Sequence, residues 1–235
     1  YFVWSRDPAM GLFAVLPLWL LYVVLRWRLA PAERNGAELL LLQELGRFGS
    51  NAHLVLSAAF LLLTIAAAVS LWRREVPWLR VASVIAIEGT IYALLLGPIA
   101  SQLTAASTRF LSAAAALAPS GSLAADVVGS IGAGIFEELV FRLGLMSALV
   151  FVALRVARGW SLPAWTAGAF AVVVSALVFS WFHHLCGEPF EFRTFVFRTM
   201  AGVLLGLLMW ARGYGVCVYT HAIYNVYYYV SRDGP

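Results

Sequence analysis

Lysine is absent from this chain of 235 residues, and all 16 basic residues are arginine. That bias fits GC-rich coding and excludes no function. The scarcity of charge says more: only 12% of residues are charged while 62% are hydrophobic, and the mean hydropathy is +0.85, which excludes a soluble globular domain. With two cysteines, Cys186 and Cys217, and no CxxC spacing, neither a disulfide framework nor a zinc knuckle is available. Both read most simply as small buried hydrophobes. No basic patch interleaved with aromatics is present, so nucleic acid is excluded as a partner. No internal repeat, cleavable signal pattern or separate soluble domain is visible.

What remains is an all-α, polytopic transmembrane bundle of about seven to eight helices. A span needs about 20 mostly apolar residues. Uncharged runs supply them at 8–25, 54–72, 81–100 (interrupted by Glu88) and 160–182. Trp27, Trp72, Trp78, Trp160 and Trp210 fall at the predicted helix ends, as an interfacial aromatic belt requires. In residues 33–49, Leu39 to Leu42 and Leu45 alternate with Glu38, Glu44 and Arg47, the pattern of an amphipathic helix lying on the membrane surface. Ala118-Pro119-Ser120-Gly121 predicts a break, dividing an N-terminal unit of membrane helices, 1–119, from a C-terminal core, 120–235. After Glu188, Glu191, Arg193 and Arg198, the uncharged run Thr199–Ala211 has 13 residues, which predicts a short helix preceded by loop or re-entrant chain over 185–198. For seven spans, loop arginines divide seven to each side, so the positive-inside rule assigns no orientation.

One predicted helix, about Leu123–Arg155, carries charge in its interior: Glu137, Glu138 and Arg142. Ionisable groups at bilayer depth are costly and mark functional sites by default. Gly129, Gly132 and Gly134 just upstream predict close approach of a neighbouring helix. At about 100° per residue, Glu138 faces Arg142 and pairs with it as a structural clamp, while Glu137 points elsewhere and is free for the interior. Two later helices offer polar edges, Phe179 with His183, and His221 with Asn225; Cys217 shares the face of His221. A lone histidine on an apolar helix is ordinarily a satisfied core residue, and buried ion pairs ordinarily fix packing. Two such edges beside a carboxylate point to hydrolysis. His184 projects off the face of His183, and His53 reads as interfacial. Glu88 needs a cation, with Arg142 and Arg198 as the candidates.

Glu137-Glu138-x-x-x-Arg142, Phe179-x-x-x-His183 and His221-x-x-x-Asn225, in this order, resemble the signature motifs of the CPBP family (CAAX proteases and bacteriocin-processing enzymes, or Abi family), which includes the type II CAAX prenyl endopeptidases. The resemblance covers about residues 120–230; residues 1–100 carry no matching motif. It implies that Glu137 activates the hydrolytic water with help from His183, and that His221 and Asn225 hold the water or the oxyanion. It leaves open a divalent metal, zinc by ligand type, on Glu137, His183 and His221. Arg198 departs from the small or apolar residue usual there, and either binds a substrate carboxylate or snorkels to the interface.

The expectation is an intramembrane endopeptidase acting on a membrane-anchored or lipidated protein, with the lipid bilayer as its other partner, in a bacterial inner (cytoplasmic) membrane. The arginine-only composition is compatible with the branch that trims C-terminal sorting tails, the myxosortase type. The competing readings are a non-proteolytic membrane scaffold or regulatory member of the family, and a proton-relaying transporter. The transporter would show repeated halves, which the sequence lacks.

Overall fold

In lipid each backbone N–H and C=O must find its partner inside the protein, and an apolar run does so by coiling into a helix. In the computed structural model, which describes residues 1–28, 35–47, 49–108 and 123–233, every regular element is helical. A short α1 (Phe2–Ser5) precedes α2 (Pro8–Arg26), α3 (Gly36–Gly46), α4 (Ala52–Arg73) and α5 (Trp78–Ser107). A continuous rod follows: α6 (Leu123–Gly132), a π-helical segment (Ala133–Met146) and α7 (Ser147–Gly159). The chain ends with α8 (Ala164–Leu185), α9 (Phe192–Arg212) and α10 (Tyr214–Asp233). Six of these helical stretches are long and apolar enough to span a bilayer, with the rod counted as one. The protein is an integral membrane protein. The break expected at 118–121 lies outside the described residues.

The 20-residue α10 is not among the six. It is polar for a span because it is shielded by protein: Tyr214 to Ala222 are all buried. It packs along α5, the rod and α2. Lipid tails give little hydrophobic drive for helix association, so close backbone approach matters more. At Gly134 an added Cβ would lie 2.6 Å from the Ala222 Cβ, which fixes the rod against α10. Gly132 similarly meets Tyr22 of α2, whereas Gly129 faces open space. Leu62, Leu63, Ile87 and Leu94 project outward, where lipid covers them.

Two expectations are corrected here. First, the helix after His183 is not short: α9 has 21 residues and begins at Phe192, leaving only residues 186–191 as loop. Its charges do not break it because they are used. Glu191 caps the helix by accepting from the Thr194 N–H (3.0 Å), and Arg198 pairs with Glu188 (2.6 Å). Second, the partner of Glu88 is neither Arg142 nor Arg198. Arg212 holds both of its oxygens at 2.6 Å, and the Tyr1 hydroxyl also donates to it.

Arg212 ends α9, and its pair with Glu88 ties the α9–α10 turn to α5. The backbone of this turn is satisfied within the protein. The Gly213 N–H donates to Met209 O (3.0 Å), and Arg6 Nε donates to Ala211 O (2.6 Å). Gly213 adopts φ +88°, and a Cβ there would lie 2.4 Å from Ser5 O. Only glycine meets both conditions.

Asp7, at the membrane face, caps α2 through Ala9 N–H (2.9 Å) and pairs with Arg74 at the end of α4 (2.5 Å). The Arg74 guanidinium holds the Asp7 carboxyl below the ordinary range. A depressed carboxylate stabilises the fold above its unfolded pKa of about 3.9, and the contribution is lost as pH falls through the lower folded value. The Tm difference between wild type and Arg74→Ala should therefore be present at neutral pH and close below about pH 4.

The Glu88–Arg212 pair gives a larger test. Glu88→Ala leaves Arg212 uncompensated inside the bundle and should cost about 3 kcal/mol in detergent unfolding. Glu88→Leu combined with Arg212→Leu should cost less than either single change.

Candidate active site

The local geometry begins with the rod. Gly132, Gly134 and Gly144, poor helix formers, bracket the stretch where the backbone shifts to i→i+5 bonding. Glu137 and Glu138 point in different directions, yet both are buried, at 4% and 0% exposure, because neighbouring helices enclose this stretch on more than one side: Glu137 faces Asn35, His183 and His221, and Glu138 faces Arg142 and Cys217.

Glu138 is the hub. Its Oε2 lies 3.3 Å from Arg142 Nε and 2.9 Å from Cys217 Sγ, and its Oε1 accepts from His221 Nδ1 at 2.7 Å. Arg142, wholly buried, also donates from Nη2 to Gly202 O (3.3 Å) and lies 4.2 Å over the Phe179 ring. This carboxylate thus holds Arg142, as the sequence spacing required, and orients His221 as well. Cys217 reaches the site along the face that it shares with His221.

His183 Nδ1 is 2.9 Å from Phe179 O. A carbonyl and a carboxylate can only accept, so Nδ1 carries a proton in both histidines, and in the neutral form of each ring Nε2 presents a lone pair. Both Nε2 atoms face Glu137: that of His183 lies 3.7 Å from Oε1 and that of His221 lies 3.8 Å from Oε2. These gaps are too wide for direct hydrogen bonds and suit a bridging water. His183, near the end of α8, and His221, two turns into α10, meet across Glu137.

Asn225 lies one turn beyond His221, half-buried, with no hydrogen bond to the described residues. Arg198 Nη2 is committed to Glu188, while its Nη1 is buried without a partner. His184 packs against Trp181, Phe190 and Phe195, away from Glu137. Cys186, which ends α8, does not supply a thiolate: partial burial, with the Glu137 and Glu188 carboxylates adding to it, pushes its thiol pKa up.

Sequence reasoning missed Asn35. Its Nδ2 donates to Glu137 Oε1 at 2.7 Å from 102 positions away in the chain. Asn35-Gly36 ahead of Glu38 and a leucine run is a legible helix start, but its partner is not legible. Glu38 is also not on the wet side of its helix. It is buried, accepts from the Tyr22 hydroxyl and lies 3.8 Å from Arg26.

The donor types suit zinc: one carboxylate and two imidazole nitrogens whose other ring N–H is tied to a carboxylate or carbonyl. Their placement does not suit it. The imidazoles address different oxygens of Glu137, and among the described residues no three His, Cys, Asp or Glu side chains are grouped to hold an ion.

Compared with protein families, residues 119–227 match the Rce1-like group, described as type II CAAX prenyl endopeptidase Rce1-like. No curated protein and no solved structure matches the chain.

The two glutamates should separate by mutation. Glu138→Ala strands Arg142 and should destabilise the fold by about 3–5 kcal/mol. Glu137→Ala, which forfeits one hydrogen bond to a charged group, should cost under about 3 kcal/mol. Thermal unfolding of the two variants in one detergent checks the order.

Proposed function

Because residues 119–227 match the Rce1-like type II CAAX prenyl endopeptidase family, we propose that the chain is an intramembrane endopeptidase using Glu137 as general base. The observation that carries this reading is the pair of imidazole Nε2 atoms, 3.7 and 3.8 Å from the two oxygens of Glu137, with both Nδ1 atoms engaged elsewhere. A scaffold would need Glu138, Arg142 and His221 but has no use for two lone pairs aimed at a second carboxylate.

In the proposed reaction one water proton passes to Glu137 and the other is held by an imidazole Nε2. The water oxygen adds to the scissile carbonyl carbon, and the carbonyl electron pair moves to oxygen. Asn225 supplies a neutral amide donor for that oxyanion, which the neutral imidazoles cannot do through Nε2. Glu137 returns its proton to the leaving nitrogen as the C–N bond breaks, giving a carboxylic acid and an amine, and transfer of the remaining water proton to the amine leaves carboxylate and ammonium. His183 and His221 orient the water throughout.

The substrate is a membrane-anchored or lipidated polypeptide, since a site among spanning helices receives what the bilayer delivers. The lysine-free composition is compatible with a GC-rich bacterium, and the membrane we assign is the bacterial cytoplasmic one. We assign Arg198 the binding of a substrate carboxylate at the α8–α9 end; its Nη1 has no protein partner, and Glu188 already holds Nη2.

The test is cleavage by the full chain in proteoliposomes, using a farnesylated C-terminal peptide, a membrane-anchored sorting tail and the unlipidated soluble peptide. One or both membrane-bound substrates should be cut, the soluble one should not, and Glu137→Gln should lower kcat by about 10²–10⁴-fold with normal folding. Failure of Glu137→Gln to slow cleavage would sink the assignment. Arg198→Gln should raise KM for a free-acid substrate and not for its C-terminal amide. Chelation should leave the rate unchanged; stoichiometric zinc in the purified protein, with loss of activity on its removal, would replace the metal-free scheme with one on Glu137, His183 and His221.

A further inference from the structure

Glu137 lies within the family-matched segment 119–227, but the hydrogen bond that holds it comes from outside that segment. Asn35 caps α3: its Oδ1 accepts from the Ala37 N–H at 2.8 Å. That bond decides the orientation of the amide, because with Oδ1 turned to the helix start, Nδ2 is the atom left to face Glu137. The donor and the cap are therefore one geometric device, and anything that seats α3 also seats the Glu137 carboxylate.

The N-terminus of α3 is seated on two sides. Toward α2, the buried Glu38 accepts from the Tyr22 hydroxyl and lies 3.8 Å from Arg26 Nε, while Tyr22 packs edge-on against Phe136, the residue before Glu137. Toward α8, Gly36 abuts Phe182 and Cys186: an added Cβ would lie 2.9 Å from Cys186 Sγ and 3.3 Å from the Phe182 ring. Phe182 precedes His183, so α3 touches the segments that carry both the base and one of its imidazoles. Ala37 is completely buried at this junction.

We infer that Asn35 is a positioning residue for the proposed reaction: by holding Oε1 of Glu137 it fixes the carboxylate plane and leaves Oε2, on the His221 side, to take the proton from water. This rests on the protease reading above. It gives the N-terminal part of the chain a share in the active site, through one side chain on a helix that sequence alone places on the membrane surface.

The test separates the hydrogen bond from the helix cap. Asn35→Ser retains a good N-cap but is too short to reach Glu137. With the membrane-bound substrate, kcat should fall by about 10–100-fold while KM stays near wild type and Tm falls less than in Asn35→Ala, which loses the cap as well as the bond. Asn35→Asp also keeps the cap, but puts an acceptor against Oε1 and should lower kcat further. A second readout does not need activity: thermal unfolding of Asn35→Ala, Glu137→Ala and the double variant should show non-additive losses. Wild-type kcat in Asn35→Ser overturns the positioning role, and additive stability losses overturn the contact itself. If the wild type shows no Glu137-dependent cleavage, the protease reading fails and the catalytic role of Asn35 fails with it, while the stability cycle still judges the contact.

Discussion

A carboxylate with no exposure to solvent cannot stay charged in a helical bundle unless the surrounding helices supply its counter-charge and donors. Glu138 meets that condition through Arg142 on its own rod, and through Cys217 and His221 on α10. Arg142 in turn reaches the backbone of α9 at Gly202 and the Phe179 ring of α8. The rod, α8, α9 and α10 are therefore tied together by one buried charge pair. The same carboxylate fixes the tautomer of His221. Because of that, fold and candidate chemistry are coupled: the group that pins the helices also aims an imidazole lone pair at Glu137.

A second constraint is depth. Three spanning helices joined end to end would place His183 and His221 far apart along the membrane normal. Both imidazoles nevertheless reach Glu137, with the start of α10 packed against Gly11 of α2 and Ile85 of α5. The irregular backbone of the α9–α10 turn is accommodated because Arg212 neutralises Glu88, Arg6 serves Ala211 O, and Gly213 fits against Ser5 O where no Cβ could. The N-terminal residues thus roof the start of α10, and α10 in turn carries His221 to the height of Glu137. The polar, tyrosine-rich character of α10 follows from the same placement, since it faces protein along the stretch that a span would present to lipid.

Much of this was legible in the chain. The uncharged runs gave α2, α4 and α8 within a few residues and α5 seven residues short at its end, the four-residue spacing brought Glu138 to Arg142, and the shared face brought Cys217 to His221. What was not legible has physical reasons. Helical phase separates Glu137 from Glu138 but does not show that both directions lead into neighbouring helices, which is why both are buried. Charge counting made the region before Thr199 too polar to span, because it could not see Glu188 neutralising Arg198 or Glu191 capping α9. Glu38 looked like the wet face of a surface helix, since neither the Tyr22 hydroxyl nor Arg26 is near it in sequence. Asn35 was readable as a cap and unreadable as a ligand of Glu137.

The hydrogen-bonding of the imidazoles constrains what the site can do more tightly than its residue list. A glutamate, two histidines and an asparagine could stabilise an oxyanion in several ways if every side chain were free to choose its role. Here both Nδ1–H groups are spent, on Phe179 O and on Glu138, so neutral His183 and His221 meet the reaction zone as acceptors. Acceptors hold the protons of water; they do not hold negative oxygen. The burden of donation then passes to Asn225, whose amide is otherwise unused, or to an imidazole only after it has gained a proton. Water orientation and oxyanion stabilisation are consequently assigned to different side chains by the same two hydrogen bonds that hold the rings in place.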